Sequence, residues 1–180
     1  MALKLFRTQS NAPIIEALHD AIVAGARRPD LYLRLGAPDT PFGRAECVML
    51  HALIVVRRLY ALPAPAPALA QDVVDRMFAD FDRAFRQIGI GDMGVPKKMK
   101  ALGSDWLGRI EAYAGPLDRR DEDALAAALA RNVMSRDGDM AIARDLARQA
   151  LACEQALSTA SWADLQLGRI AWPAIEGAGA

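Results

Sequence analysis

Three glycines near the middle of the chain have the spacing of a dinucleotide-binding loop. Gly89, Gly91 and Gly94 match the pattern G-x-G-x-x-G, which cradles a pyrophosphate when it follows a β-strand and opens a helix. Here a helical apolar pattern precedes it, so the context is wrong for that chemistry. We therefore interpret the glycines as helix-ending and turn positions that need a positive φ, and we expect no cofactor. A phosphate on the N–H groups that open the next helix stays an alternative.

Acid–base or metal chemistry near neutral pH would depend on the two histidines of the chain, His19 and His51. We find no standard zinc, nucleophile or phosphate-loop motif around either of them and predict no metal site. His51 lies in an apolar stretch, so we interpret it as a hydrogen-bonded core residue. Glu46 precedes it by five residues and falls on another helix face. An enzyme built on this pair is therefore the weakest of the functional hypotheses.

A local basic cluster is the remaining feature with chemical potential. It consists of four residues on one predicted helix: Lys97, Lys98, Lys100 and Arg109. Such a face suits RNA or a ribosome surface, because both present phosphates. The alternative is a solvated helix start whose charge is balanced by Asp92 and Asp105, and the sequence alone favours this alternative.

Two predicted helices position the glycine turn and the lysines. The apolar stripe of the first helix consists of Phe78, Phe81, Phe85 and Ile88, and that of the second of Met99, Leu102, Trp106, Ile110 and Tyr113. Steps of three and four residues are typical of an amphipathic helix. We expect both stripes to be core, with any exposed remainder forming a groove for an apolar partner helix. The rest of the chain is predicted to be organised around this helical hairpin.

Composition places the chain among globular proteins of one domain. It has 180 residues, of which 53% are hydrophobic, and its 22 basic and 22 acidic residues balance, so no global charge indicates nucleic acid. The longest apolar run, residues 47–56, is too short to span a membrane, which takes ~20 residues. A helix that is apolar nearly all round belongs in the middle of a bundle. Cys47 and Cys153 are expected to be buried free thiols.

The pattern of apolar stripes and helix-ending residues predicts an all-α, single-domain bundle of six to seven helices. We expect residues 1–10 to be a flexible N-terminus, residues 11–174 the helical domain and residues 175–180 a disordered tail. Asn11 is the predicted N-cap of the first helix, and Gly115-Pro116 is a predicted stop. The proline-rich stretch 61–70 is interpreted as an extended connector, and the apolar segment that ends in Trp172 is expected to dock on the bundle.

Four segments, in this order and spacing, resemble the ubiquinol–cytochrome c chaperone family. They are Leu50-His51 with residues 56–59, residues 78–113 around the Lys97-Lys98 pair, residues 124–132, and residues 168–173. The structural motif residues within them are His51, Arg57, Phe78, Phe81, Gly91, Trp106, Tyr113, Trp172 and Pro173.

The resemblance implies a non-enzymatic, cofactor-free chaperone that binds newly made cytochrome b and helps to assemble the cytochrome bc1 complex. It also implies an all-α protein of the cytoplasm, peripheral at the inner face of the cytoplasmic membrane, without a transmembrane segment or sequence-specific DNA binding. The ribosome and the membrane surface are the further partners that we consider. The candidate partner-binding residues are Asp92, Lys97, Lys98, Lys100, Arg109 and Arg131. A helical adaptor that recognises a regulatory partner through the Trp172 tail is the alternative from another functional class.

Overall fold

Eight helices make up the described part of the chain. The computed structural model describes residues 2–134 and 139–175, with side chains from residue 11 onward. The helices are α1 (Ala2–Ala26), α2 (Pro29–Leu33), α3 (Pro41–Ala61), α4 (Ala66–Gln87), α5 (Val95–Arg119), α6 (Glu122–Asn132), α7 (Met140–Ser158) and α8 (Trp162–Gln166). No strand occurs in these ranges, which confirms the all-α prediction.

Helix α3 is the centre of the bundle. Every residue from Glu46 to Val56 is buried, and α3 packs against α1, α4, α5 and α7. This confirms the position predicted from its apolar circumference. The helical hairpin of α4 and α5 is not the organising element, contrary to our expectation. Phe78, Phe81 and Phe85 are only half-buried and Ile88 is 61% exposed, so the apolar stripe of α4 loses its cover towards the end of the helix.

Side-chain caps explain where several helices begin. The hydroxyl of Thr40 accepts a hydrogen bond from the Gly43 N–H, and Pro41 occupies the first turn of α3, where a missing N–H costs nothing. Helix α3 therefore begins at Pro41. Asp121 and Asp139 cap α6 and α7 through their carboxylates.

Three predicted boundaries are wrong. Helix α1 begins at Ala2, so Asn11 is not its N-cap and Pro13 lies inside the helix. Helix α4 begins at Ala66 within the predicted connector, because a proline in a first helical turn loses no hydrogen bond. Helix α5 continues past Pro116 to Arg119, since Tyr113 and Leu117 are both buried on its inner face and offset the one lost bond.

The C-terminal segment docks across α1 and α3, as predicted. The Trp172 indole N–H donates to the Ala21 carbonyl at 2.9 Å, and its ring meets His51 edge-on with a centroid distance of 4.9 Å. Gly25 leaves room for the indole, because a Cβ there would come within 2.4 Å of it. Ile175 is buried, so the predicted tail does not begin at this residue. Residues 176–180 lie outside the described residues.

Both cysteines are free and buried, as predicted. Burial raises the pKa of the Cys47 thiol to about 11, and it also raises the pKa of the Cys153 thiol. A thiol reacts as the thiolate, so both cysteines are unreactive at neutral pH. The cysteines therefore contribute to the packing of the core.

Candidate partner-binding surface

The turn between α4 and α5 and the first residues of α5 form an exposed basic and apolar tip. We call this surface the α4–α5 tip and define it by Ile88, Met93, Lys97, Lys98 and Lys100. The three lysines are all exposed, and they are three of the four lysines in the chain. Within the described ranges none of them forms an ion pair with a carboxylate, whereas most arginines do. The tip is therefore a local cationic surface on a chain of balanced charge.

The carboxylates expected to balance the lysines are bound elsewhere. Asp92 accepts a hydrogen bond from Arg86 Nη1 at 2.7 Å, and Asp105 lies 3.7 Å from Arg109 Nη1. The alternative that Asp92 and Asp105 balance the charge of the lysines is therefore not supported by any direct ion pair among the described residues. Asp92 is exposed beside the tip, but its carboxylate forms an ion pair with Arg86.

Apolar side chains accompany the lysines. Met93 is 94% exposed, and Ile88, which we predicted to belong to the core stripe of α4, is 61% exposed. Leu107 and Ile110, further along α5, are also exposed. Exposed apolar side chains therefore lie beside lysines that form no ion pair with a carboxylate, and a partner-binding role for this surface stays a prediction.

Arg109 does not belong to this surface. Its guanidinium binds the carboxylate of Glu46 in two places, with Nε–Oε2 at 3.0 Å and Nη2–Oε1 at 2.6 Å. Glu46 is 1% exposed on the central helix, and its burial raises the pKa of this carboxyl despite the arginine. The pair links α5 to α3, so the structure does not bring Arg109 into the α4–α5 tip, and its role in partner binding stays a prediction.

Arg131 is exposed on α6, at a distance from the lysines. Its charge acts on the phenol of Tyr113, and Tyr113 follows Lys98 by fifteen residues along α5. At 1.5 Å per residue this is about 22 Å of helix. The structure therefore does not bring Arg131 into the α4–α5 tip, and its role in partner binding stays a prediction.

His51 is a core residue, as predicted. Its Nδ1 lies 2.8 Å from the Cys47 carbonyl oxygen, to which it donates, and burial lowers the pKa of the imidazole to about 4. The Glu46 carboxylate is occupied by Arg109 and does not approach His51 in a hydrogen bond. Two surface cavities of the described chain, of about 570 and 280 Å³, are lined by neither residue. This arrangement argues against the enzyme hypothesis.

Of the three glycines, one has the conformation that we expected. Gly89 follows the C-cap of α4 with a φ of +84°, the left-handed conformation that commonly ends a helix. Gly94 has a φ of −84° and Gly91 is not in the left-handed region either, so the expectation is wrong for both. A helix terminus needs only one residue of this kind, and helix α4 rather than a strand precedes the motif.

Arg57 forms a bridge that sequence reasoning did not find. Its guanidinium donates to Glu154 on α7 at 2.9 Å and to Asp118 on α5 at 2.6 Å. The same residues line the 570 Å³ groove, together with Tyr60, which is 59% exposed. The only sequence signal was that the apolar pattern of α3 stops at Arg57. A groove of this volume suits a few side chains rather than a whole helix.

The other motif residues support the fold. Phe78 and Phe81 meet edge to face with a centroid distance of 6.2 Å. Trp106 and Tyr113 are buried in the core, and the carbonyl of Pro173 accepts hydrogen bonds from Arg28 and Gln149. Gly91 is exposed. The Trp172 tail is therefore occupied within the protein, which removes the surface that the adaptor hypothesis requires.

The described fold and surface define an all-α bundle with exposed features suited to binding. Comparison with known proteins gives the particular family: the chain belongs to the ubiquinol-cytochrome C chaperone family, whose sequence profile matches residues 33–172. Its structure is similar to the crystal structure of the Cbp3 homolog from Brucella abortus, with a TM-score of 0.83 and 38% sequence identity over 97% of this chain and 98% of that chain. No curated protein sequence matches the chain. Among the described residues, no helix is both long and apolar enough to cross a membrane.

Proposed function

We propose that this protein is a non-enzymatic assembly chaperone of the cytochrome bc1 complex that binds newly synthesised cytochrome b. The family and the similarity to a Cbp3 homolog support the assembly role. The observation that carries the binding role is the α4–α5 tip, where unpaired lysines adjoin exposed Met93 and Ile88. A membrane-protein client offers apolar segments before it is assembled, and an exposed apolar surface can cover them.

We further propose that the lysines of the tip hold the protein at a phosphate-bearing surface where the client emerges. The location that we propose is the cytoplasm, either peripheral at the inner face of the membrane or at the ribosome. Three exposed ammonium groups suit both surfaces, since phosphate is the charged group of each.

Deletion of the gene tests the assembly role. We expect a selective loss of the bc1 complex on native gels and of the haem b signal in difference spectra, with other respiratory complexes intact. Unchanged bc1 levels would contradict the assembly role and would return attention to an unrelated binding function.

Charge reversal at the tip tests the surface role. We expect the triple variant Lys97→Glu, Lys98→Glu and Lys100→Glu to remain folded, because all three side chains are exposed. Its association with anionic vesicles should weaken by at least tenfold, since each lysine near such a surface contributes about 1 kcal/mol. Parallel sedimentation with ribosomes distinguishes the two phosphate sources.

The matched control is a second triple variant with the same change in net charge. Arg27 directly after α1, Arg119 at the far end of α5 and Arg144 on α7 are exposed away from the tip, and their replacement by Glu should leave the association close to that of the wild type. Equal weakening by both triple variants would mean that net charge, rather than the tip, governs the association.

A further inference from the structure

His19 is a buried histidine with one nitrogen bound and the other without a partner. The residue is 6% exposed, on the face of α1 that packs against α4. Its Nε2 lies 2.8 Å from the Asp80 carboxylate, whereas Nδ1 is buried without a hydrogen bond. A carboxylate accepts, so it holds the proton on Nε2 and leaves the lone pair of the neutral ring on Nδ1.

Two carboxylates lie close to His19. Glu16 and Asp20 are three residues before and one residue after it, and each offers an oxygen that lies with a ring nitrogen of His19 in a cluster of atoms within 4.8 Å of one another. The Asp20 oxygen is 3.6 Å from Nδ1. Our sequence analysis found no ligand spacing at His19, yet Glu-x-x-His is a spacing by which helical bundles present metal ligands on one face.

We propose that Glu16, His19 and Asp20 form a binding site for one divalent transition-metal ion of the Zn²⁺ type, with Asp80 orienting the histidine. One imidazole nitrogen and two carboxylate oxygens form a common donor set for such ions, and solvent completes the coordination. A carboxylate behind a ligating histidine is the usual support that fixes its tautomer and ring orientation.

The separation of the donors permits coordination after a small movement. Tetrahedral bonds of about 2.1 Å place ligand atoms about 3.4 Å apart, so donors at the present limit of 4.8 Å must approach one another by about 1.4 Å. The Asp20 side chain is 80% exposed and that of Glu16 is 52% exposed. Both carboxylates therefore have the freedom to close on an ion, while His19 is already fixed.

Neighbouring arginines do not cancel the charge of the site. Arg76 binds both oxygens of Glu16 and also contacts Asp80, and Arg83 lies 2.8 Å from Asp80. With Asp20, three carboxylates face two guanidinium groups, which leaves one net negative charge on the side chains around His19. Each carboxylate oxygen has a second lone pair, so Glu16 can bind Arg76 and an ion together.

Titration of the full chain, without an affinity tag, with Zn²⁺ in a calorimeter tests the proposal. We expect one ion per chain, and the Asp20→Asn variant should bind at least tenfold more weakly. Asp20 makes no contact that the fold requires, so this variant should unfold at the wild-type temperature. Asp75→Asn removes the same charge from an exposed position of α4 and should bind Zn²⁺ like the wild type.

Nitrogen NMR of the two histidines identifies the ligand atom. On addition of Zn²⁺ we expect the ¹⁵N signal of His19 Nδ1 to move, while His51, whose Nδ1 donates to Cys47, stays unchanged as an internal reference. Absence of a stoichiometric ion, equal affinity in Asp20→Asn and wild type, or an unchanged His19 signal would each overturn the proposal.

Discussion

Replacement of Arg109 by methionine is expected to destabilise the protein by about 3 to 5 kcal/mol at pH 7, because it leaves a buried carboxylate without its partner. Glu46 is 1% exposed, and both of its oxygens are bound by this one guanidinium. Domains of ordinary stability unfold at a cost of about 5 to 15 kcal/mol. The substitution therefore removes a large share of the stability, as urea unfolding followed by circular dichroism would measure.

The pH dependence of the Arg109→Met variant identifies the cause. Burial already raises the pKa of Glu46, and loss of the arginine removes the main interaction that lowers this pKa. A carboxyl whose pKa is higher in the folded than in the unfolded state favours folding at low pH. The difference in unfolding free energy by which the variant falls below the wild type should thus become smaller as the pH falls from 7 to 5.

A double variant provides the matched control for the ion pair. Glu46→Leu combined with Arg109→Met removes both charges, and replacement of a complete buried pair by apolar side chains is often neutral or stabilising. We expect the double variant to recover most of the stability lost in the single variant. A single variant that loses less than about 1 kcal/mol, the range of exposed pairs, would contradict the role of the pair.

Protonation of His51 is expected to cost the folded state about 3 kcal/mol between pH 7 and pH 4. Burial is the main cause that lowers the pKa of this imidazole to about 4, and the charge of Arg28 lowers it further, whereas the Cys47 carbonyl opposes the shift. In the unfolded chain the pKa is about 6.5. Between these values only the unfolded state binds the proton, so stability falls as the pH falls.

Comparison with His51→Gln isolates this effect from other titrating groups. Glutamine retains a donor for the Cys47 carbonyl but does not titrate. The unfolding free energy of the wild type minus that of the variant should therefore decrease as the pH falls from 7 to 4. Proton NMR gives a second readout that needs no variant: the His51 ring should show no inflection near pH 6.5 in the folded protein, and an inflection there would contradict the prediction.

The sequence was sufficient for the helices and for the central position of α3. A run that is apolar on all sides can only be buried on all sides, so residues 47–56 identified the middle of the bundle. Periodicity does not say how much of a stripe finds a neighbour. For that reason the phenylalanines of α4 were assigned to the core, whereas the structure leaves them half-buried.

The location of the lysines was predictable, but the partners of the charges around them were not. Lys97 and Lys98 are adjacent in sequence, so their proximity needs no tertiary information. Arg109 and Glu46 are 63 residues apart, and no local pattern distinguishes a buried arginine from an exposed one at this position. The same limit applies to His19, since its orientation depends on Asp80 in another helix.

The docked C-terminal segment has a consequence for the order in which the native state forms during synthesis. The indole of Trp172 bonds to Ala21, 151 residues earlier, and Arg28 bonds to Pro173 across 145 residues. Until these residues leave the ribosome, one side of His51 and the carbonyl of Ala21 lack their native cover. Helix α1 is thus synthesised early, but its contacts with the C-terminal segment form late. The protein therefore reaches its native state only after nearly its whole chain has been made.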